Sequence, residues 1–278
     1  MSIDHLIEAA KQIVDIGIPG ILLFPVVSSK DRSGDAAEAY NPENLISRAI
    51  QALKLATPSL GVIADVALDP YTSHGHDGLM AEGIIRNDET IEILVRQALV
   101  LARAGVDIIA PSDMMDGRIG ILRTALDENR YQDIAICSYA AKYASRFYAP
   151  FREAIHCAEL LKGDKRTYQM DPANCDEALH EVALDIQEGA DIIMVKPGLP
   201  YLDVVSRVKK TFQIPTFVYH VSGEYVMLKA AAAQGWLDYH QILLEIMLSF
   251  KRAGADAIVT YAAIDVASLL NQTHGEIE

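Results

Sequence analysis

Three stretches of the chain are near copies of one another: RAGVDIIAPSD (residues 103–113), EGADIIMVKPG (188–198) and RAGADAIVTYA (252–262). Each has a glycine suited to the left-handed position that closes a helix, then a short apolar strand. A strand that is apolar without alternation is buried on both faces, as in a parallel sheet covered by helices. The same strand signal recurs at residues 18–26, 60–68, 133–140 and 214–222. That makes seven readable strands, most of them separated by helical patterns. NCDEALHEVALDIQEGA (174–190) offers Asn174 as a cap, Glu177 three residues on, and an apolar face of Leu179, Val182, Ala183 and Ile186. NDETIEILVRQALVLARAG (87–105) follows the same plan and stops at Gly105.

Alternation of this kind fits an open doubly wound sheet or a closed barrel. No G-x-G-x-x-G follows the first strand and no G-x-x-x-x-G-K is present. Asp65, Asp69, Ser112, Asp113, Lys142, Lys196, Ser222 and Tyr261 all fall at or just beyond the C-terminal ends of different strands. Only a barrel brings so many strand ends to one rim. The fold class is therefore α/β, a TIM-type (β/α)8 barrel with seven strands readable, and residues 1–278 are expected to form a single domain.

A net charge of −14 excludes the basic patches that nucleic acid or an anionic membrane requires. The cysteines Cys137, Cys157 and Cys175 form no CxxC pair, which implies a reducing, cytoplasmic setting. The opening MSIDHLIEAAKQIVDIG is an amphipathic helix rather than a signal peptide, and no apolar run approaches ~20 residues.

The strand at residues 192–195 ends in Lys196, followed at once by Pro-Gly, and Lys142 likewise follows a buried strand. Alone, either lysine reads as an apolar stem with its ammonium in water. Two on one rim read differently: a lysine near another cation in a dry site loses its proton easily and becomes an amine nucleophile that forms Schiff bases with ketones. Asp65, Asp113, Asp116, Tyr148, Tyr201 and Tyr261 are candidate proton carriers, and Arg152, Lys165 and Arg166 candidate partners for a substrate carboxylate. Asp69, His74, His76 and Asp77 cluster as metal ligands do, on a segment whose Pro, Gly and Ser mark it as a loop.

DVALDPYTSHGHDG, APSDMMDGRIG, SYAAKYASRFYAPFREA, KRTYQMDPAN, MVKPGLPYLDVV and YHVSGEY together closely resemble the porphobilinogen synthase (5-aminolevulinate dehydratase) family, over about residues 13–270. The resemblance implies a hydro-lyase barrel of haem and tetrapyrrole biosynthesis that joins two 5-aminolevulinate molecules into porphobilinogen. It implies that Lys196 forms the Schiff base with the substrate becoming the propionate side, and that Lys142 binds the acetate-side substrate. Arg152 and Gln169 match lid contacts, with Lys165, or Arg166 beside it, where the family has a second carboxylate-binding arginine. Ser222 and Tyr261 match hydroxyls that hold a substrate carboxylate; Asp65, Ser112 and Asp113 match pocket-lining groups, and Tyr148 an aromatic close to the lysines. Zinc-dependent relatives place three cysteines where this chain has Ala67, Asp69 and Asp77, so it resembles the aspartate-rich branch and no zinc is expected. Glu224 matches the carboxylate of an allosteric magnesium site on an outer surface. A homo-oligomer is implied, with an arm and first barrel strand preceding the segment that begins this chain. The strands near Ile18 and Ala255 are then expected to flank a gap, closed by direct pairing or filled by another chain. Two rival readings stand beside this one: a Schiff-base aldolase for another keto substrate, and a weakly active or non-catalytic barrel kept for binding.

Overall fold

The structure is a computed structural model that describes residues 1–154, 160–161 and 163–275, the side chain of Arg152 and those of residues 273–275 excepted. Seven parallel strands form one sheet: β1 (Gly20–Leu23), β2 (Gly61–Val66), β3 (Ile108–Pro111), β4 (Ala135–Lys142), β5 (Ile192–Lys196), β6 (Thr216–His220) and β7 (Ala257–Thr260). Their order in space is their order in the chain. Six of the seven fall within the segments that the sequence marks as strands, and β4 runs two residues past its segment to take in Lys142. The sheet curls into a nearly closed barrel: the ring of Phe24, one residue past β1, lies 6.4 Å from that of Tyr219 on β6. Among the described residues no ladder joins β1 to β7, so the expected gap is present as a seam. A short hairpin of Met80–Ala81 against Ile84–Ile85, not anticipated from sequence, sits in the loop after β2.

Helices α1 (Ile3–Asp15), α2 (Leu45–Ala56), α3 (Asn87–Ala104), α4 (Arg118–Glu128), α5 (Ala149–Ala154), α6 (Glu177–Gln187), α7 (Leu202–Phe212), α8 (Ser222–Ala233), α9 (Tyr239–Ala253) and α10 (Ala263–Gly275) surround the barrel. The glycines of the three repeats take the left-handed conformation foreseen for them, with φ of 96° at Gly105, 106° at Gly189 and 115° at Gly254. The α6 helix starts later than Asn174; the Asn174 carboxamide instead accepts from the backbone of Asp176 and Glu177 just ahead of it.

Side chains alternate between two apolar clusters, as barrel strands require. Ile63, Ala110, Cys137, Tyr139, Met194 and Tyr219 pack inside the barrel. Val62, Ala64, Ile109, Ile136, Ile193, Val195 and Val218 pack outward under the helices. The β4–β5 ladder breaks this rhythm once. Ser138 pairs with Ile193 but Ala141 pairs with Val195, so β4 carries one extra residue, a β-bulge. Both Ala140 and Ala141 join the outer cluster, and Lys142 returns to the inner face opposite Lys196. No described helix is long and apolar enough to cross a membrane.

Candidate active site

Lys142 and Lys196 are the last residues of neighbouring strands and are direct register partners. Parallel register partners point to the same side of a sheet. Both are buried, with 5% and 8% of their surface exposed. Their surroundings differ. The Lys142 ammonium donates to the Ser112 carbonyl and to Asp77 Oδ1 at 3.3 Å. Among the described residues no carboxylate lies within ion-pair distance of Lys196 Nζ; it faces rings instead. The ring centres of Tyr219, Tyr139, Tyr148, Phe151 and Phe24 stand 4.4, 5.1, 5.3, 5.7 and 5.9 Å away. Burial, and then the positive charge of Lys142, pull Lys196 down to about 7 from the ordinary 10.5. An amine near neutrality is a usable nucleophile.

Tyr148, foreseen beside the lysines, donates its hydroxyl to the Lys196 carbonyl at 3.1 Å. Tyr139 and Tyr219, central to the cage, were missed. Their signal was present: each is the one large polar aromatic on the inner face of a strand that otherwise reads as apolar. Asp65, at the inner end of β2, is buried, which pushes it up to about 7 against the pull of Lys142.

A second cluster adjoins Lys142. The Lys165 ammonium lies between two carboxylates, 2.6 Å from Asp77 Oδ2 and 3.1 Å from Asp69 Oδ2. Burial draws Lys165 down, but the two carboxylates outweigh it and hold it above the usual lysine range. Burial pushes Asp77 up, yet Lys142 and Lys165 hold it well below the usual carboxylate range, aided by the Tyr168 hydroxyl donating at 2.9 Å. Lys165 is thus committed to Asp69 and Asp77 rather than open to a substrate carboxylate, while Arg166 is exposed and pairs with Asp164 at 2.6 Å. Gln169 is buried beside this segment with Oε1 unpartnered.

Ser222 opens α8, and its Oγ accepts from the Phe151 N–H at 3.0 Å, tying α5 to the rim. Arg152 belongs to α5, but its side chain lies outside the described residues. Tyr261 follows β7 and is 47% exposed, its ring 6.4 Å from Tyr219.

Several sequence candidates lie elsewhere. Asp113 takes its contacts from a buried network behind the rim: its Oδ1 accepts from the Met115 N–H, and Arg118 Nε lies 3.5 Å from its Oδ2. Arg118 also approaches Asp185 at 3.6 Å, and Ser138 donates to Asp185 at 2.5 Å. Burial, eased by Arg118, sets Asp113 at about 6. Tyr201 stacks on Tyr143 outside the barrel, and the Asp116 backbone is held by the Asn87 side chain. His74 and His76 are buried, with the His76 ring bonded to Tyr168 at 2.9 Å. His76, Tyr168 and Asp116 line a cavity of about 610 Å³ that neither Lys142 nor Lys196 lines. Among the described residues no three His, Cys, Asp or Glu side chains converge to hold a metal ion.

Glu224 corrects the sequence expectation. It is 5% exposed rather than on an outer surface, because α8 begins inside the rim. Its Oε1 accepts from the Leu199 N–H at 2.5 Å and its Oε2 from the Val221 N–H at 2.6 Å. Burial raises it to about 7, against those backbone donors. Each oxygen accepts one backbone donor and keeps a further lone pair, so what sets the carboxylate apart from an outer-surface ligand is its burial.

A family model described as delta-aminolevulinic acid dehydratase matches residues 1–269. The delta-aminolevulinic acid dehydratase of Bradyrhizobium diazoefficiens is 58% identical over 270 residues, covering 97% of this chain and 76% of that protein. That of Rhodobacter capsulatus is 50% identical over 269 residues, covering 97% and 81%. The Toxoplasma gondii delta-aminolevulinic acid dehydratase (porphobilinogen synthase), solved with the reaction product porphobilinogen, superimposes with a TM-score of 0.95 at 49% identity, covering 97% of this chain and 77% of that one.

Proposed function

Because the chain belongs to the delta-aminolevulinic acid dehydratase family, we propose that its rim of paired lysines condenses two molecules of 5-aminolevulinate to porphobilinogen with loss of two waters, a lyase step of tetrapyrrole synthesis. The observation that carries this reading is the alignment of Lys142 with Lys196 on the inner face, where two keto substrates can be held side by side.

Lys196 is the nucleophile toward the substrate that becomes the propionate side. Its neutral amine adds to the keto carbon, and the adduct loses its oxygen and both amine protons as water when the C=N bond forms. Lys142 holds the acetate-side substrate. Asp65, raised to about 7 and within the field of both lysines, takes up and returns protons during these additions and eliminations. Ser222 and Tyr261 bind one substrate carboxylate and Arg152 the other, while Ser112, Asp113, Gln169 and Tyr148 shape or support the pocket. Zinc has no part in this reading: Asp69 and Asp77 already converge on the Lys165 ammonium, and no thiolate is present there to select zinc. Magnesium has no step in this reading; Glu224 is the carboxylate that matches the family's allosteric magnesium site, here buried. The enzyme is placed in the cytoplasm, consistent with free Cys137 and Cys175, and assembles with copies of itself; the exposed Val226, Met227, Trp236 and Leu237 on and after α8 support that assembly.

The test is incubation with 5-aminolevulinate and a zinc-specific chelator, followed by a colour assay for porphobilinogen and mapping of borohydride-trapped substrate. Product with label on Lys196 is expected. A folded protein that makes no product, or one that works only after zinc is restored, defeats the reading.

A further inference from the structure

The structure assigns Glu224 a role in the reaction that no metal is needed for: we infer that it is a positioning residue whose carboxylate clips the turn leaving β5 to the start of α8, and so fixes Lys196 and Ser222 relative to each other. The inference rests on the functional reading above. Lys196 is followed by Pro197 and Gly198, and the Leu199 N–H three residues beyond it bonds to Glu224 Oε1. The Val221 N–H, from the residue immediately before Ser222, bonds to Oε2 of the same carboxylate. One side chain therefore holds both ends of the pocket, and its charge makes both bonds stronger than neutral ones.

The turn has no other freedom to adjust. A Cβ placed at Gly198 would lie 2.6 Å from a Phe250 ring carbon and 2.7 Å from a Val218 methyl, so the backbone is wedged against α9 and β6. On the opposite side, a Cβ at Gly223 would lie 2.5 Å from the Phe147 carbonyl oxygen, pressing α8 against the segment that leads into α5. With Glu224 in place the turn and the helix start move as one body. Without it each piece keeps its own packing, but the bonds that register the β5 exit against the residue before Ser222 are lost, and small displacements at a reacting centre are costly.

The experiment compares the full-length wild type with Glu224→Gln at pH 8, with and without magnesium, scoring turnover and borohydride trapping of 5-aminolevulinate on Lys196 by mass. Glu224→Gln keeps the shape but turns an amide N–H₂ against one backbone donor. Magnesium-free kcat, normalised to the fraction of chains that trap, is expected to fall about 10-fold or more with KM little changed. The trapping rate should fall with it, and a merely structural residue would lower the trappable fraction and leave normalised kcat alone. Glu224→Asp, which keeps the charge but reaches only one of the donors, should fall between the two and serves if the amide variant does not fold. A Gln variant with wild-type magnesium-free kcat that has lost only a response to magnesium overturns the assignment. A wild type that neither traps nor turns over removes the functional reading, and the assignment with it.

Discussion

Replacing Lys142 with methionine should raise the pH at which Lys196 becomes a nucleophile. The substitution keeps the apolar stem and removes the charge that the register places directly beside Lys196. With Lys196 at about 7, half of its amines are neutral at pH 7, against about one in 3,000 at the ordinary 10.5. Strands in register stand about 4.8 Å apart. Two ammonium groups about 6 Å apart at an effective dielectric near 20 repel by about 2.8 kcal/mol, or about 2 pK units. The neutral fraction at pH 7 should then fall about 50-fold. The assay is the rate of borohydride trapping of a one-sided keto acid, 4-oxopentanoate, across pH 5 to 10, which needs Lys196 but not the second substrate. Asp65→Asn serves as the opposite control, since it removes a charge that raises Lys196 and should move the midpoint down. A Lys142→Met profile that overlays the wild type would show that Lys142 does not act on Lys196 through its charge. A wild-type midpoint near 10 would refute the argument from burial as well.

Arg118→Ala should destabilise the fold by about 3–5 kcal/mol in urea unfolding at pH 8, because it leaves Asp113 and Asp185 buried without their cation; a loss under about 1 kcal/mol would mean the network is not held by charge. The loss should shrink as pH falls toward 6 and level off below it, because without Arg118 the Asp113 carboxyl takes up its proton at a higher pH than in the wild type. His220 is buried, which lowers it to about 4, its ring bonded to Thr260 and packed on Phe250 and Tyr225. The unfolded chain therefore binds a proton first, from about pH 6.5 downward. Its contribution is fully present above pH 6.5 and is lost as pH falls through 4, so His220→Gln should flatten that part of the acid limb of the melting temperature; an unchanged limb would show that His220 takes no part in it.

What the sequence makes legible here is local. The glycine–strand repeats place five-residue runs and their helix stops, and the lysines at strand ends can be seen as rim residues without knowing their neighbours. The bulge in β4 is invisible, because CSYAAK reads equally well as an unbroken strand until it is laid against IIMVK. The same limit hides Arg118, which looks like an ordinary surface charge in DGRIG but is buried between Asp113 and Asp185, the latter 67 positions later in the chain. Glu224 reads as a solvated acid in the first turn of a helix; only Leu199, reached through the β5 exit, shows that it is inside. Lys165 reads as a substrate-binding cation for the same reason, since the two aspartates that claim it come from the loop after β2.

The seam between β1 and β7 has a mechanical consequence. A split ring strains unevenly when it is squeezed: its lips move most and the arc facing them least. Each lip here is a four-residue strand held by a single ladder and only partly shielded from water. The strands bearing Lys142 and Lys196 are laddered on both sides, and they occupy the middle of the order, three strands in from one lip and two from the other. The paired amines therefore stand at the stiffest part of the hoop. Phe24 and Tyr261, which follow the two lips, are the members of the rim most exposed to its breathing.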